Sequence, residues 1–408
     1  MTTLSNLSKK QIFVLPLILV LATIVFEMSS DLYIPCLPEM SAFYGVQDHI
    51  VVMTISIYMI GFSFMGLIGG ALSDSLGRRP IFMLGVGIFV LGSIGTYLAK
   101  SIEMLTLSRL IQGMGAGTSY VISTAMIKDS FPDRLCSRLF SLMGTAIALS
   151  PTIAPIIGGK ISAVWGWEFN FTIILGAALV TFFLCQLGLF ETLEPSKRQA
   201  ISLKATMKSY ANLFGNLRVC GYALISGLTY GSLWAWIALA PFFFIESLGI
   251  SAQEYGYYAM IGPISYMVGA IINQALVNRF GIDRLLRAGL AIITIGSIYL
   301  NIVSFNSLFN KWGLISGLII FCTGLAPVFS NAATCSLDVP ANQRGAASAV
   351  LGLVEMTLAA VYAYGASWFN DGTVRPATIM MATSALGCIL LYILIQQSIR
   401  YHHKSSLR

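Results

Sequence analysis

The feature that most limits what this chain can become is a recurring run of apolar residues, each about 20 long, broken by short polar stretches. A helix of about 20 residues crosses the ~30 Å hydrocarbon core of a bilayer. Twelve such runs are read at 12–35, 50–72, 81–99, 104–127, 138–163, 169–190, 219–245, 256–278, 288–305, 312–334, 346–367 and 377–396. Backbone polar groups cannot reach water inside a bilayer, so each run is expected to be a helix that satisfies its own hydrogen bonds. Composition agrees. Of 408 residues, 56% are hydrophobic and 10% charged, against about 25% charged in a soluble domain. The first run is too long for a signal-peptide core and no small-x-small site follows it, so it is read as a retained helix.

Charge then sets the expected orientation. Among the 24 Lys and Arg residues, Lys100, Lys160, Lys311 and Arg375 fall in one set of alternate loops, and Arg109 falls inside a span. The other nineteen fall in the opposite set or at the termini. Basic loops stay in the cytoplasm, so both termini are expected there. The net charge of +7 is thus a topology signal, and no nucleic-acid partner is expected.

The longest polar stretch, 191–218, divides the chain into a six-helix N-terminal bundle (1–190) and a six-helix C-terminal bundle (219–396), with a tail at 397–408. Within it, Ser202–Leu217 is expected to form an amphipathic surface helix. The turn Gly70-Ala71-Leu72-Ser73-Asp74-Ser75-Leu76-Gly77-Arg78-Arg79-Pro80 has a faint copy, Asn278-Arg279-Phe280-Gly281-Ile282-Asp283-Arg284. Setting Gly77 on Gly281 places Asn278 where the first half has Asp74, so the copy loses that acid. Repeats of this kind are common in secondary transporters.

Charges inside a membrane are costly and point to function. Glu27 and Asp31 stand one helical turn apart on one face of the first span. Two close carboxylates in a medium of low dielectric do not both ionise readily, so at least one is expected to hold a proton. Asp31 has an alternative role as a cap near Pro35. Arg109 begins Arg109-Leu110-Ile111-Gln112-Gly113 in the fourth span, at a depth where it could reach the pair. It serves either proton coupling or a fixed ion pair between spans one and four. Glu355 lies near the middle of the eleventh span without a Lys or Arg at its depth. It either faces a ligand or proton, or forms a neutral hydrogen bond between helices.

Pro151 and Pro155 are expected to bend the fifth span, and Gly158-Gly159 to admit a close neighbour. Spans seven and eight carry Tyr230, Trp234 and other aromatics suited to a bulky, partly apolar ligand. Gln112 and Asn331 are further cavity candidates. Trp165, Trp167, Tyr44 and Trp368 suit an interfacial belt. The seven cysteines contain no C-x-x-C pair and are read as small apolar fillers. No metal site, cofactor or nucleotide-binding motif is expected, and no enzyme constellation occurs.

The turn from Gly70 to Pro80 resembles the loop 2–3 signature of the major facilitator superfamily. Arg109-Leu-Ile-Gln112-Gly113 is similar to its fourth-helix R-x-x-Q-G signature, and Ala154-Pro155-Ile-Ile-Gly158-Gly159 to the end of the fifth-helix motif of its antiporter branch. Asp31-Leu-Tyr33-Ile-Pro35-Cys-Leu-Pro38 resembles the first-helix D-x-Y-x-P-x-L-P of the bicyclomycin/chloramphenicol-resistance (Bcr/CflA) drug:proton antiporters. Ser75, Ala154 and Glu168 depart from these patterns.

The resemblance implies an all-α fold of 12 transmembrane helices in two six-helix pseudo-repeats. Alternating access is implied too, through a central cavity lined by helices 1, 4, 7 and 10. It makes Arg109 proton-linked, places Asp74 near the start of helix 11, and offers Arg134 or Arg138 as ionic partners of Asp74. The expected conformational switch therefore comprises Gly70, Asp74, Gly77, Arg78, Arg79, Arg134, Arg138, Pro151, Pro155, Gly158 and Gly159.

The function expected is proton-coupled efflux of small amphipathic molecules or drugs by a monomer in the inner membrane of a bacterium. The proton gradient drives it, and its partners are a small-molecule substrate, protons and the lipid bilayer. Export of an endogenous metabolite such as a siderophore, amino acid or peptide remains open at this point.

Overall fold

The computed structural model describes residues 9–198, 203–306, 311–340 and 343–406. The first eight residues, 199–202 of the linker and Arg408 of the basic count lie outside the described residues. Among the described residues every regular element is helical.

The first span is a broken rod. Helix α1 (Lys9–Asp31) ends where Pro35 and Pro38 withhold backbone donors. A 3-10 turn (Ile34–Cys36) then leads into α2 (Leu37–Tyr44). Helices α3 (Asp48–Leu76), α4 (Arg78–Tyr97), α5 (Ile102–Ser130), α6 (Asp133–Trp165) and α7 (Glu168–Gly188) follow. The amphipathic segment of the linker is helical as α8 (Leu203–Phe214). Helix α9 (Leu217–Pro241) runs on into a π-helical turn, Phe242–Ser247.

The eighth span is also broken, into α10 (Ala252–Ala259) and α11 (Ile261–Phe280). Pro263 has no N–H to offer the Ala259 carbonyl, and the helix parts there. The chain closes with α12 (Ile282–Phe305), α13 (Lys311–Ser336), α14 (Arg344–Trp368) and α15 (Arg375–Ser406).

Among the described residues, eleven helical stretches are long and apolar enough to cross a membrane. The expected fourth span, α5, is long enough at 29 residues but too rich in small and polar residues to stand among them. Burial in protein accounts for this. Arg109, Gln112, Ser119 and Ser123 are each 0% exposed, so this polar face meets other helices.

Packing divides the chain into two compact units: Met1–Ser202 with Leu248–Met260, and Leu203–Ser247 with Ile261–Arg408. The short α10 thus groups with the first half of the sequence, where it lies along α6.

Within the first unit α5 packs against both α3 and α4, and glycines make this possible. Gly113 and Gly117 lie one turn apart. A Cβ on either would fall on the backbone of α3, at the carbonyls of Tyr58 and Phe62. Gly115, on the other side, would meet the α4 backbone at Gly85 and Phe89. Small residues at such spacing let helix backbones approach closely in a membrane. In the second unit α13 lies in the same way against α11 and α12, with Gly269 against Thr323 and Gly296 against Phe321.

The two related turns share a conformation. Gly77 joins α3 to α4 at φ 108°, and Gly281 joins α11 to α12 at φ 80°. A positive φ is inexpensive only for glycine.

Candidate functional site

Arg109 is the largest fully buried side chain among the described residues. Its guanidinium carbon lies 4.2 Å from the ring centre of Tyr58 and 4.9 Å from that of Tyr33. Nη1 donates to the Ser29 carbonyl at 3.0 Å and to Gln112 Oε1. Gln112 is held in turn, its Nε2 donating 2.8 Å to Ser93. Both rings are tethered. The Tyr58 hydroxyl donates to the Phe26 carbonyl at 2.9 Å, and the Tyr33 hydroxyl pairs with that of Thr54 at 3.0 Å. A desolvated cation between aromatic faces gains roughly 2 kcal/mol per ring. Nε and Nη2 are buried without a hydrogen-bond partner. The site therefore holds a full positive charge with two unused donors.

The carboxylates of the first span take different places. Asp31 is 4% exposed. It accepts hydrogen bonds from Ser150 at 2.8 Å and from Ser30 at 3.2 Å. Ser150 immediately precedes Pro151 in α6, so this bond ties the break in the first span to the first proline of α6. One turn beyond Pro155, Gly158 sits against the Leu32 carbonyl, where a Cβ would overlap it. Gly159 faces the α10 backbone at Ala252. Pro151 and Pro155 both lie inside α6. Glu27 is half-buried, and its carboxylate has no ion pair or hydrogen bond among the described residues. The direct contact expected between Arg109 and a carboxylate is not formed. The guanidinium is held instead by a main-chain carbonyl, an amide and two rings.

The turn from Gly70 to Pro80 is a compact ionic cluster. Arg78 pairs with Asp74 on its own turn and with Asp129 at the end of α5 at 2.9 Å. It also donates to Ser73 at 2.7 Å. The Arg78 backbone N–H donates to Glu191 at 2.9 Å. Gly77 leaves the room for that carboxylate, since a Cβ there would collide with Glu191 Oε2. Arg79 reaches the Gln186 carbonyl at 3.4 Å. Arg134 and Arg138 are exposed, and Asp74 is paired with Arg78 rather than with either. Gly70 makes only ordinary contact with Val121.

The copy of this turn has Asn278 in place of the acid and carries Asp283 on the other side of its glycine. Asp283 follows Gly281, pairs with Arg287 at 3.0 Å and accepts 2.6 Å from the Tyr392 hydroxyl.

In the second unit, Ser226 of α9 donates to Glu355 of α14. Gly227 and Gly231 bring these helices together, facing Val354 and Leu358 of α14. Tyr230 stacks on Phe329 of α13 at 5.5 Å and lies 6.3 Å from Trp234. Tyr266 of α11 is 6.5 Å from the same Phe329 ring. Trp234 is 5% exposed, and its Nε1 has no hydrogen-bond partner. Asn331 donates 2.9 Å to Asn273.

Two expected cavity residues make hydrogen bonds to their neighbours. Gln112 is locked between Arg109 and Ser93, and Asn331 joins α13 to α11. Among the described residues no cluster of His, Cys, Asp and Glu could hold a metal. A hollow of about 740 Å³ lined by Lys128, Ser137, Phe140 and Ser141 lies elsewhere, at the start of α6.

Sequence reasoning missed Tyr58, Ser29, Ser150, Asp129, Glu191 and Ser226. Ser150 had a signal, standing beside a mid-span proline. Tyr58 and Asp129 had none, because their partners are remote in sequence.

Residues 19–363 match the family model of the Major Facilitator Superfamily. The chain belongs to that superfamily, whose members are transporters, and is a multi-pass protein of a bacterial inner membrane. It is 26% identical to an uncharacterized MFS-type transporter, YdgK, of Bacillus subtilis, over 97% of this chain and 99% of the relative. It is 25% identical to a bicyclomycin resistance protein homolog of Haemophilus influenzae, over 94% and 96%. Multidrug resistance protein MdtL of Vibrio parahaemolyticus is 23% identical over 93% and 95%. Among solved structures, a D-xylose-proton symporter shares the fold with a TM-score of 0.74 at 15% identity, covering 92% of this chain and 97% of that one.

Proposed function

We propose that this chain is a proton-driven antiporter that exports small amphipathic molecules, drugs among them, by alternating access. Glu27, Asp31 and Arg109 form its proton-coupling set. The observation that carries the reading is the buried bond from Ser150 to Asp31, beside Pro151, in a unit where Arg109 keeps two unused donors. A hydrogen bond to an ionised carboxylate is roughly twice as strong as a neutral one. A proton arriving at Asp31 therefore loosens the tie between the first span and α6 beside Pro151. When one of the two carboxylates, Glu27 or Asp31, is ionised, it is the partner that the spare Arg109 donors lack. A proton moves this equilibrium only because it binds the two states differently.

Both termini and the Gly70–Pro80 turn face the cytoplasm in this reading, and a monomer suffices. The Asp74–Arg78–Asp129 cluster then acts as a switch on that face, with Gly77, Arg79 and Glu191 shaping the turn. The names of the relatives, bicyclomycin and multidrug resistance proteins, support drugs as cargo.

The test is efflux driven by a pH gradient in liposomes holding the full chain. E27Q and R109A are expected to abolish it while the protein still reaches the membrane. D74N is expected to slow turnover without altering cargo affinity. Undiminished efflux in both E27Q and R109A would overturn the coupling scheme.

A further inference from the structure

The two units treat charge in opposite ways. In the first, a buried cation already lies between two aromatic rings. In the second, a carboxylate is bonded to Ser226, one turn of α9 from Tyr230 and its ring contacts, and has no ion pair among the described residues. Glu355 sits near the middle of α14 (Arg344–Trp368) and is half-buried. Its hydrogen-bond partner among the described residues is one hydroxyl, that of Ser226. No ion pair to Glu355 is formed among the described residues. A carboxylate at this depth is expensive without a countercharge.

Its surroundings hold hydroxyl and aromatic groups. Ser226, Tyr230 and Trp234 recur every four residues, so they share one face of α9. Phe329 touches the rings of both Tyr230 and Tyr266. Acid, hydroxyl and aromatic rings from α9, α11, α13 and α14 therefore converge within one unit. The Trp234 indole N–H on the same α9 face is buried and unpartnered. A buried donor without an acceptor costs about 1–3 kcal/mol, which a ligand acceptor would recover.

We propose that Glu355, Ser226, Tyr230, Trp234, Tyr266 and Phe329 form a subsite in the second unit that takes the positively charged, aromatic end of the cargo. Glu355 is its countercharge. Aromatic faces and a single acid together recognise an organic cation. An anionic cargo is repelled by the same acid, and a neutral one gains only the ring contacts. The proposal rests on the transport reading above and adds the charge of the preferred cargo.

The test uses the purified full-length protein and two probes of similar shape. Tetraphenylphosphonium is a permanent aromatic cation, and triphenylphosphine oxide is neutral. The wild type is expected to prefer the cation. E355Q still accepts the Ser226 hydrogen bond but lacks the charge. It is expected to shift the ratio of the two dissociation constants toward the neutral probe by roughly tenfold or more, about 1.4 kcal/mol. E355D is expected to retain most of the preference.

A second measurement needs no variant. The cation, but not the oxide, is expected to protect Glu355 from a hydrophobic carbodiimide, read by peptide mass. An unchanged ratio in E355Q, or no protection of Glu355, overturns the subsite. So does a cation preference lost in E27Q and kept in E355Q. A wild type that binds both probes equally, or neither, overturns it as well. Efflux of a neutral cargo lost in E27Q and R109A would still leave the transport reading standing in each of those cases.

Discussion

Arg109 shows how much one residue depends on the geometry around it. Its charge is fixed, its surface is sealed and its neighbours are two flat rings, an amide and a carbonyl. A lysine keeps the charge but not the planar fork or the stacking. R109K is therefore expected to fold and still lose transport by roughly tenfold or more. Uptake by everted vesicles driven by a pH gradient measures it, and wild-type rates in R109K would show that the stacked geometry is dispensable. The sequence identified Arg109 because a charge within an apolar run is costly in a bilayer and persists where it serves a function. It could not identify Tyr58 as the ring beneath it. Tyrosines are common in this chain, and only the pairing of α3 with α5 singles that one out.

At the scale of the element, α5 owes its packing to its glycines. Gly113 and Gly117 face one neighbour and Gly115 the other, so a single helix serves as the spine for two. The atoms in the way of a side chain are backbone atoms, which cannot turn aside. G117A is expected to destabilise the protein by about 1–3 kcal/mol. G176A in α7, where a Cβ meets nothing within 4 Å, is expected to hold or gain slightly. Thermal unfolding followed by size-exclusion chromatography separates the two, and equal melting temperatures would refute the close-packing account. Among the described residues, the same helix is an expected span that does not stand among the eleven apolar enough to cross a membrane. Its polar face suits burial against protein, and hydropathy measured along a sequence has no knowledge of neighbours.

For the whole molecule, the distribution of Lys and Arg predicts both termini and the Gly70–Pro80 turn on the cytoplasmic face. A cytoplasm-active reporter fused after Arg400 is expected to be active, and a periplasm-active one silent. Fusions within the loop holding Lys160 are expected to behave in the opposite way. The reverse pattern at either point would overturn the orientation and, with it, the direction proposed for proton entry.

The sequence by itself determined that the chain is a helical membrane protein and roughly where each span lies. Those properties follow from hydropathy and proline placement, which are local. It also marked the few residues, Glu27, Asp31, Arg109 and Glu355, whose charge is out of place in a bilayer. Only the tertiary structure decided what each of them meets. It put Arg109 between tyrosines, Asp31 on Ser150, Asp74 on Arg78, Glu355 on Ser226, and the short α10 with the first unit. A hydrogen bond or ring contact is made across space by residues far apart in the chain. The spacing of one run of residues carries no record of which other run packs against it.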